Sequence, residues 1–395
     1  MSFLCSLAVM ILASLLLGSL CRRVGVPPLL AMLLVGVVTG PSVLGLLSPS
    51  LLAISEPLRS FALVVILARA GLSLDVSDLR AVGRPAILLS FLPASFEILG
   101  YMIFAPMFLS LTVAESALAG AVMGAVSPAV VVPRMLRLRE EGYGVDKKIP
   151  QTITAGASCD DVFVIALFSA LLTTAETGTF DASVILRVPV SVLLGIGGGI
   201  LLGGLLTLLF TRVSVRDTEK VLIFLSVAFL LLTLEDAISS AVPFSALLSV
   251  ISVGILMNRR APTCAKRLSA RFEKLWVFAE ILLFALVGAE VNLSYAVSSG
   301  LKILPVVLLA LLFRSVGVLL SLAGTKLNKK ERLFTVLSYL PKATVQAAIG
   351  GVALSSGLAC GEVILTAAVL AILLTAPLGA LAIDLSGRRL LTKET

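Results

Sequence analysis

Apolar stretches of about twenty residues recur along this chain from one end to the other, with only short polar connections between them. The hydrocarbon core of a bilayer is about 30 Å thick and takes a helix of about 20 apolar residues to cross. Thirteen such stretches are expected, at roughly 3–21, 26–47, 59–74, 85–108, 115–134, 151–173, 183–211, 221–235, 241–257, 277–296, 302–324, 333–354 and 361–384. Only 14% of the 395 residues are charged and 58% are hydrophobic, against about 25% charged in an ordinary soluble domain. The fold class that follows is an all-α polytopic membrane protein. The seventh stretch is long and rich in glycine (Gly195, Gly197 to Gly199, Gly203, Gly204), as a tilted or connecting helix would be.

The basic residues fix an orientation for these spans. With the N-terminus outside, one side carries nearly all of the 31 Lys and Arg, among them Arg22, Arg23, Arg80, Arg134, Arg137, Lys147, Arg212, Arg259 to Lys274, Lys326 to Arg332 and Arg388. The other side carries only Arg59, Arg187 and Lys302. An odd number of spans satisfies the positive-inside rule, and an even number would spoil it in half of the chain. The expectation is a multi-pass protein of the plasma (inner) membrane with a cytoplasmic C-terminus. The first stretch has no basic residue before it and Arg22-Arg23 after it, the reverse of a secretory signal peptide, so it reads as an uncleaved helix.

Several classes of function are excluded. The net charge of +8 lies at helix ends and forms no nucleic-acid footprint. The five cysteines are scattered, with no CxxC pair, and there is no histidine, so neither a disulfide framework nor a histidine metal site is available. No GxxxxGK[ST] motif occurs. No nucleophile–base pair is visible, and neither an enzyme nor a bound cofactor is expected.

A weak internal repeat runs at an offset close to 215 residues. Pro28-Leu-Leu-Ala31 echoes Pro243-Phe-Ser-Ala246, Gly71-Leu-Ser-Leu-Asp echoes Gly288-Ala-Glu-Val-Asn, and Pro128 falls opposite Pro341. The offset equals seven spans. Seven is odd, so the second copy is inserted upside down, as in many secondary transporters with a site at the midplane. The expected organisation is one membrane unit over 1–395. It has a first inverted repeat at 1–173, a linker helix at 183–211, a second repeat at 221–384 and a short cytoplasmic tail at 385–395.

Five ionisable residues fall near the middle of their spans: Glu97, Asp160, Asp161, Arg314 and Lys342. Ionisable groups at that depth are costly and mark functional sites. Asp160 and Asp161 lie about ten residues into their span, or ~15 Å at the helical rise, and point about 100° apart. Glu97 and Arg314 occupy corresponding places in the two repeats and are natural partners, which reads equally as a structural salt bridge. Three carboxylates face two cations, so one carboxylate has no fixed counter-ion. Such a site must hold either a cation or a proton.

Two spans look broken, around Ser127-Pro128 and around Pro341-Lys342-Ala-Thr344. Proline removes a helical hydrogen bond, and non-helical backbone at this depth is tolerated where it lines a cavity. Freed carbonyls there could bind small cations, with Ser127 and Thr344 as supplementary ligands, and Lys342 could neutralise a carbonyl end. Arg69 with Asp75, and Glu290, are weaker candidates for a vestibule. Glu235-Asp236 and Glu280 are expected to be solvated, and the basic run from Arg259 to Lys274 to be a topology signal facing lipid. Alternatives are a K⁺/H⁺ antiporter, a carrier of organic anions with Na⁺, and a channel or non-transporting sensor.

The stretches Ala68-Arg-Ala-Gly-Leu-Ser-Leu-Asp75, Gly124-Ala-Val-Ser-Pro-Ala-Val-Val-Val-Pro133, Gly156-Ala-Ser-Cys-Asp-Asp161, Leu286-Val-Gly-Ala-Glu-Val291 and Leu340-Pro-Lys-Ala-Thr-Val-Gln-Ala-Ala-Ile-Gly350 resemble the cation/proton antiporter superfamily, in particular the NHA-type sodium/proton antiporters of the solute carrier 9B group. The resemblance implies a homodimer with a dimerisation domain and a six-helix transporting core, in which spans five and twelve are two crossed, interrupted helices. It implies exchange of Na⁺ or Li⁺ for H⁺ by elevator-like alternating access. Asp161 matches the ion-binding aspartate, Asp160 its companion, and Glu97, Arg314 and Lys342 the surrounding network. In relatives with paired aspartates the basic residue is often lysine. The paired aspartates suggest electrogenic exchange, whereas arginine stays charged, so Arg314 argues toward one-for-one, electroneutral exchange.

Overall fold

A computed structural model describes residues 1–74, 82–177, 182–213, 215–238 and 242–393. Asp75 and Arg80 lie outside the described residues, as do the side chains of Arg187 and Asp236. The first five helices in chain order are α1 (Phe3–Arg23), α2 (Pro28–Thr39), α3 (Pro49–Ala53), α4 (Ser55–Ser73) and α5 (Arg84–Leu89). Next come α6 (Leu92–Leu109), α7 (Val113–Met123), α8 (Pro128–Glu140), α9 (Ile149–Thr177), α10 (Ala182–Arg212) and α11 (Asp217–Ile238). The remainder are α12 (Ala246–Arg260), α13 (Pro262–Glu290), α14 (Leu293–Ser321), α15 (Lys329–Ser338), α16 (Thr344–Ile349), α17 (Val352–Ser355) and α18 (Gly361–Leu390). The one extended pairing among the described residues is an isolated bridge between Tyr143 and Lys393.

Seven helical stretches among the described residues are long and apolar enough to cross a membrane by length and composition. The thirteen expected from sequence include helices that miss this standard for plain reasons. α2 and α12 have 12 and 15 residues. α4 carries Glu56, Arg59 and Arg69, and α13 begins with a basic half.

By internal contacts the chain forms two compact units: Met1–Leu58 with Asp78–Val164 and Ile281–Thr395, and Arg59–Ser77 with Ile165–Glu280. The first is centred on the antiparallel pair α6 and α14. A Cβ on Gly100 would stand 3.0 Å from Ala310 Cα, and one on Gly317 would stand 2.8 Å from the Leu92 carbonyl. Phe104 and Phe313 meet edge to face at 5.6 Å. In the same unit α2 lies directly on the last turns of α13, where a side chain on Gly36 would overlap the Ala285 carbonyl.

In the second unit, α10 uses its glycines to seat α12. Gly195 faces Ser245 and Leu248, Gly199 faces Ser249 and Ser252, and Gly203 faces Val253. The Ser249 hydroxyl donates to the Gly195 carbonyl at 2.6 Å. Arg69 pairs with Glu273 at 3.4 Å at an exposed position. Glu235, expected to be solvated, accepts the N–H of Ala246 at 3.0 Å, where α12 has donors without a helical partner.

Two interrupted elements of the first unit position the site, and each half-helix leading into a break opens with a capping box. Thr112 and Glu115 cap α7 reciprocally, and Asn328 and Glu331 cap α15 in the same way. These pairs satisfy the first orphan donors of each helix. They stand 216 residues apart, the offset of the sequence repeat. The helical ladder stops after Met123 and restarts at Pro128, and it stops again after Ser338 and restarts at Thr344. Pro128 occupies the first helical position of α8, where a missing N–H costs nothing. Pro341 lies within the second break, so neither proline is a kink inside a continuous helix.

Candidate ion site

The two breaks touch through their backbones. Ser127 donates its N–H to the Pro341 carbonyl at 2.8 Å. A helix interrupted at Met123 leaves its last carbonyls without partners and carries partial negative charge at that end. Side chains of the second break supply the missing donors. Gln346 Nε2 donates to Val122 (3.3 Å), Met123 (3.3 Å) and Ala125 (2.9 Å). Lys342 Nζ donates to Met123 (2.6 Å) and Ala125 (3.2 Å). From α14, Arg314 Nη1 donates to the Gly124 carbonyl. The carbonyls that sequence reasoning offered to a small cation are therefore taken by protein donors. Lys342 does neutralise a carbonyl end, and that end belongs to the opposite broken element.

At the other side of the first break the polarity reverses. The N-terminal end of α8 carries partial positive charge, and Asp160 sits there. Its Oδ2 accepts the Val126 N–H at 2.8 Å and Arg314 Nη2 at 3.1 Å. Asp160 is fully buried.

Arg314 and Lys342 converge on one oxygen. Glu97 Oε2 accepts Arg314 Nη1 at 2.8 Å and Lys342 Nζ at 2.5 Å. Arg314 Nε donates to the Tyr339 carbonyl at 2.6 Å, and the guanidinium lies 5.7 Å from the Tyr339 ring centroid. Thr375 Oγ1 of α18 accepts the Lys342 N–H at 2.9 Å, and the Gln346 Oε1 accepts the Ala343 N–H at 2.8 Å. A buried cluster of this kind is sustained only when its members satisfy one another, and here two cations are matched to Glu97 and Asp160.

Asp161 is the remaining carboxylate. It is buried at 8% exposure, and no cation lies within ion-pair distance of it among the described residues. Its Oδ1 has no hydrogen-bond partner, nor has Asp160 Oδ1 or Ser127 Oγ. Ser127 precedes α8 with no cap bond from its side chain. Thr344 is buried as the first residue of α16. Among the described residues no group of three or more His, Cys, Asp and Glu could hold a metal ion. The arrangement thus offers one desolvated carboxylate without a fixed cation, and two further buried oxygens, Asp160 Oδ1 and Ser127 Oγ, without hydrogen-bond partners.

The structure brings Glu97, Asp160, Arg314 and Lys342 into one network, with Pro128 and Pro341 at the breaks beside it. Glu290, a vestibule candidate, accepts the Ser55 hydroxyl at 2.8 Å. Sequence reasoning passed over Gln346, Tyr339 and Thr375. Gln346 and Tyr339 flank the second break, and the signal for Gln346 was a long amide two residues after Thr344, next to the proline-marked break.

The profile of the transmembrane sodium/hydrogen exchanger family matches residues 9–384. The chain is 35% identical over 352 residues to sodium/hydrogen exchanger 9B2 of Mus musculus, covering 86% of this chain and 64% of that protein. It is 34% identical over 351 residues to sodium/hydrogen exchanger 9B2 of Homo sapiens, covering 86% and 65%. The chain therefore spans a little under two thirds of the length of these two relatives. Human sodium/hydrogen exchanger 9B1 is 34% identical over 360 residues, with 86% and 67% covered. The fold matches the sodium proton antiporter MjNhaP1 of Methanocaldococcus jannaschii at a TM-score of 0.85, with 22% identity and 97% of each chain covered. With the profile spanning all but the chain's ends and the fold shared over nearly its full length, this multi-pass membrane protein belongs to the sodium/hydrogen exchanger family.

Proposed function

We propose that the chain is a secondary active antiporter that exchanges Na⁺ or Li⁺ for H⁺ at Asp161, by alternating access. The observation that carries this reading is the charge balance of the buried cluster. Glu97 and Asp160 absorb Arg314 and Lys342, which leaves Asp161 to take either a cation or a proton. Bare, the Asp161 carboxylate is desolvated and costly. Bound to either ligand it is neutral, so only the loaded carrier has a low barrier to crossing. Ser127 Oγ and Asp160 Oδ1 are supplementary ligands to the ion in this reading, supported by their lack of other partners. Thr344 is a further candidate from the second break.

Arg314 remains charged throughout, and Asp160 is held as its anion, so one Na⁺ replaces one H⁺ and exchange is electroneutral. Inverted repeats over 1–173 and 221–384 organise this core, with residues 183–211 as the linker. The antiparallel pairing of α6 with α14 and the two capping boxes at matching offsets support that assignment. The proposal extends to thirteen spans, a homodimer, an outside N-terminus and a cytoplasmic C-terminus in the plasma (inner) membrane.

Proton flux in proteoliposomes driven in turn by Na⁺, Li⁺ and K⁺ gradients, with the membrane potential clamped and then released, tests the reading. Na⁺ and Li⁺ should drive flux that ignores the potential, and Asp161→Asn should abolish it. Full activity in Asp161→Asn, or flux driven by K⁺ alone, would overturn it.

A further inference from the structure

The two breaks are joined backbone to backbone at one peptide unit, the one between Pro341 and Lys342. Its carbonyl accepts the Ser127 N–H at 2.8 Å, and its N–H donates to Thr375 Oγ1 of α18 at 2.9 Å. A peptide unit is planar and rigid, so its carbonyl and N–H turn together. Whatever holds the N–H therefore also aims the carbonyl at Ser127. Thr375 is the residue that holds it. It is buried, and its own O–H donates to the Ala371 carbonyl one turn earlier in α18 at 2.7 Å. That bond is an ordinary habit of threonine in a helix, and it leaves a lone pair of Oγ1 for the Lys342 N–H. α18 lies hard against the break here: a side chain on Gly379, one turn further on, would run into the Pro341 ring.

The first break has a matching contact. Asp160 of α9 accepts the Val126 N–H at 2.8 Å, as Thr375 of α18 accepts the Lys342 N–H. Val126 and Lys342 stand 216 residues apart, and Asp160 and Thr375 stand 215 apart, which is the offset of the sequence repeat. Each broken element thus has one backbone N–H held by a side chain of another helix. In the first the acceptor is a carboxylate that also bonds Arg314. In the second it is a neutral hydroxyl. Asp160 and Ser127 both serve the ion in the proposed exchange, and Thr375 has no part in it.

We propose that Thr375 is a positioning residue of the ion site. Its hydroxyl fixes the Pro341–Lys342 peptide plane, that plane holds the Ser127 N–H, and the Ser127 hydroxyl is thereby kept where the cation needs it. The Ser127 side chain makes no cap bond and its Oγ has no partner, so the backbone is what places that oxygen. Without the Thr375 hydroxyl the buried Lys342 N–H loses its acceptor, which is costly. The peptide plane turns in search of another, the bond to Ser127 weakens, and the ligand oxygen drifts. Thr375 acts through Ser127 and makes no contact with the ion. The inference rests on the exchange reading, in which Ser127 is a ligand of the ion at Asp161.

Thr375→Val removes the hydroxyl and keeps the shape, whereas Thr375→Ser keeps the hydroxyl. Calorimetric titration of the purified full chain with NaCl in detergent gives both the Kd and the fraction of sites that bind, and a melting curve gives stability. Thr375→Val should bind Na⁺ about threefold to tenfold more weakly, the scale of one neutral hydrogen bond. In proteoliposomes it should show a correspondingly raised KM for Na⁺ at near wild-type turnover. Thr375→Ser should keep the wild-type Kd and KM. In a Ser127→Ala background Thr375→Val should cause no further loss of affinity, since residues acting through one contact are not additive. An unchanged Kd in Thr375→Val overturns the proposal, also when the binding fraction and melting temperature fall, because that is what a purely structural hydroxyl gives. A Thr375→Ser protein as weak as Thr375→Val overturns it too, as does a full-sized Thr375→Val loss in the Ser127→Ala background. Retained activity in Asp161→Asn is a separate failure, that of the exchange reading.

Discussion

Replacing Glu97 by glutamine probes the charge balance without touching either aspartate. Glu97 Oε2 alone receives both Arg314 and Lys342, and its side chain is 2% exposed. Removing one member of a buried ion pair costs about 3–5 kcal/mol. The glutamine amide still offers an acceptor oxygen, so the loss belongs near the lower end, about 3 kcal/mol. The functional consequence is larger than the structural one. With Glu97 neutral, Asp160 and Asp161 face Arg314 and Lys342, and no carboxylate is left without a cation. Na⁺ then has no net charge to answer.

Sodium at a hundred times its Kd should stabilise the wild-type protein by about 2.7 kcal/mol, and Glu97→Gln by almost nothing. Thermal denaturation in detergent across a Na⁺ titration reads both effects at once. Adding Lys342→Gln to the variant restores one unmatched carboxylate and should return part of the Na⁺ response. A Glu97→Gln protein that responds to Na⁺ like the wild type would refute the charge balance as the basis of binding.

Other consequences are more local. Gly36→Val should prevent folding or cost about 3 kcal/mol or more through overpacking, because the new side chain meets the Ala285 carbonyl; expression and melting temperature report this. Glu141, in the loop after α8, has its carboxyl held below the usual carboxylate range by its hydrogen bond from Arg388 and then that from Arg137. A lowered folded-state value means that this contribution is present above the ordinary value near 4.5 and is lost as pH falls through the folded value. Arg388→Gln should therefore flatten the acid limb of stability measured from neutral pH downward. Leu391 is buried beside Leu138 and Ile153, so Leu391→Ser should raise amide exchange in the loop at Gly144, whose N–H bonds the Thr392 carbonyl.

Much of the arrangement was legible in the sequence because a membrane leaves few ways to hide a charge. Glu97, Asp160, Arg314 and Lys342 stood out as ionisable groups in mid-span, and the structure joins them. The proline pairs marked the breaks, since helical hydrogen bonding cannot pass them unchanged. What sequence could not supply was the partner of each carbonyl. Gln346 donates to three of them across the crossing, a contact between residues more than 220 positions apart that no local pattern encodes. The carbonyls near Met123 therefore looked free for an ion when protein donors hold them. Tyr339 was hidden for a related reason, because a tyrosine at a helix end is ordinary until its hydroxyl is found buried. Span counting had the opposite difficulty. Helices such as α4 and α13 bring charges along with their apolar runs, so composition alone does not decide whether they cross.

In the proposed exchange a single carboxylate trades one proton for one sodium ion. Proton release on Na⁺ binding to the purified protein in weakly buffered detergent solution measures this directly, alongside calorimetric binding. One proton per bound Na⁺ is expected in the wild type, with neither binding nor release in Asp161→Asn. Two protons per Na⁺, or Na⁺ binding that persists with its proton release in Asp161→Asn, would contradict it.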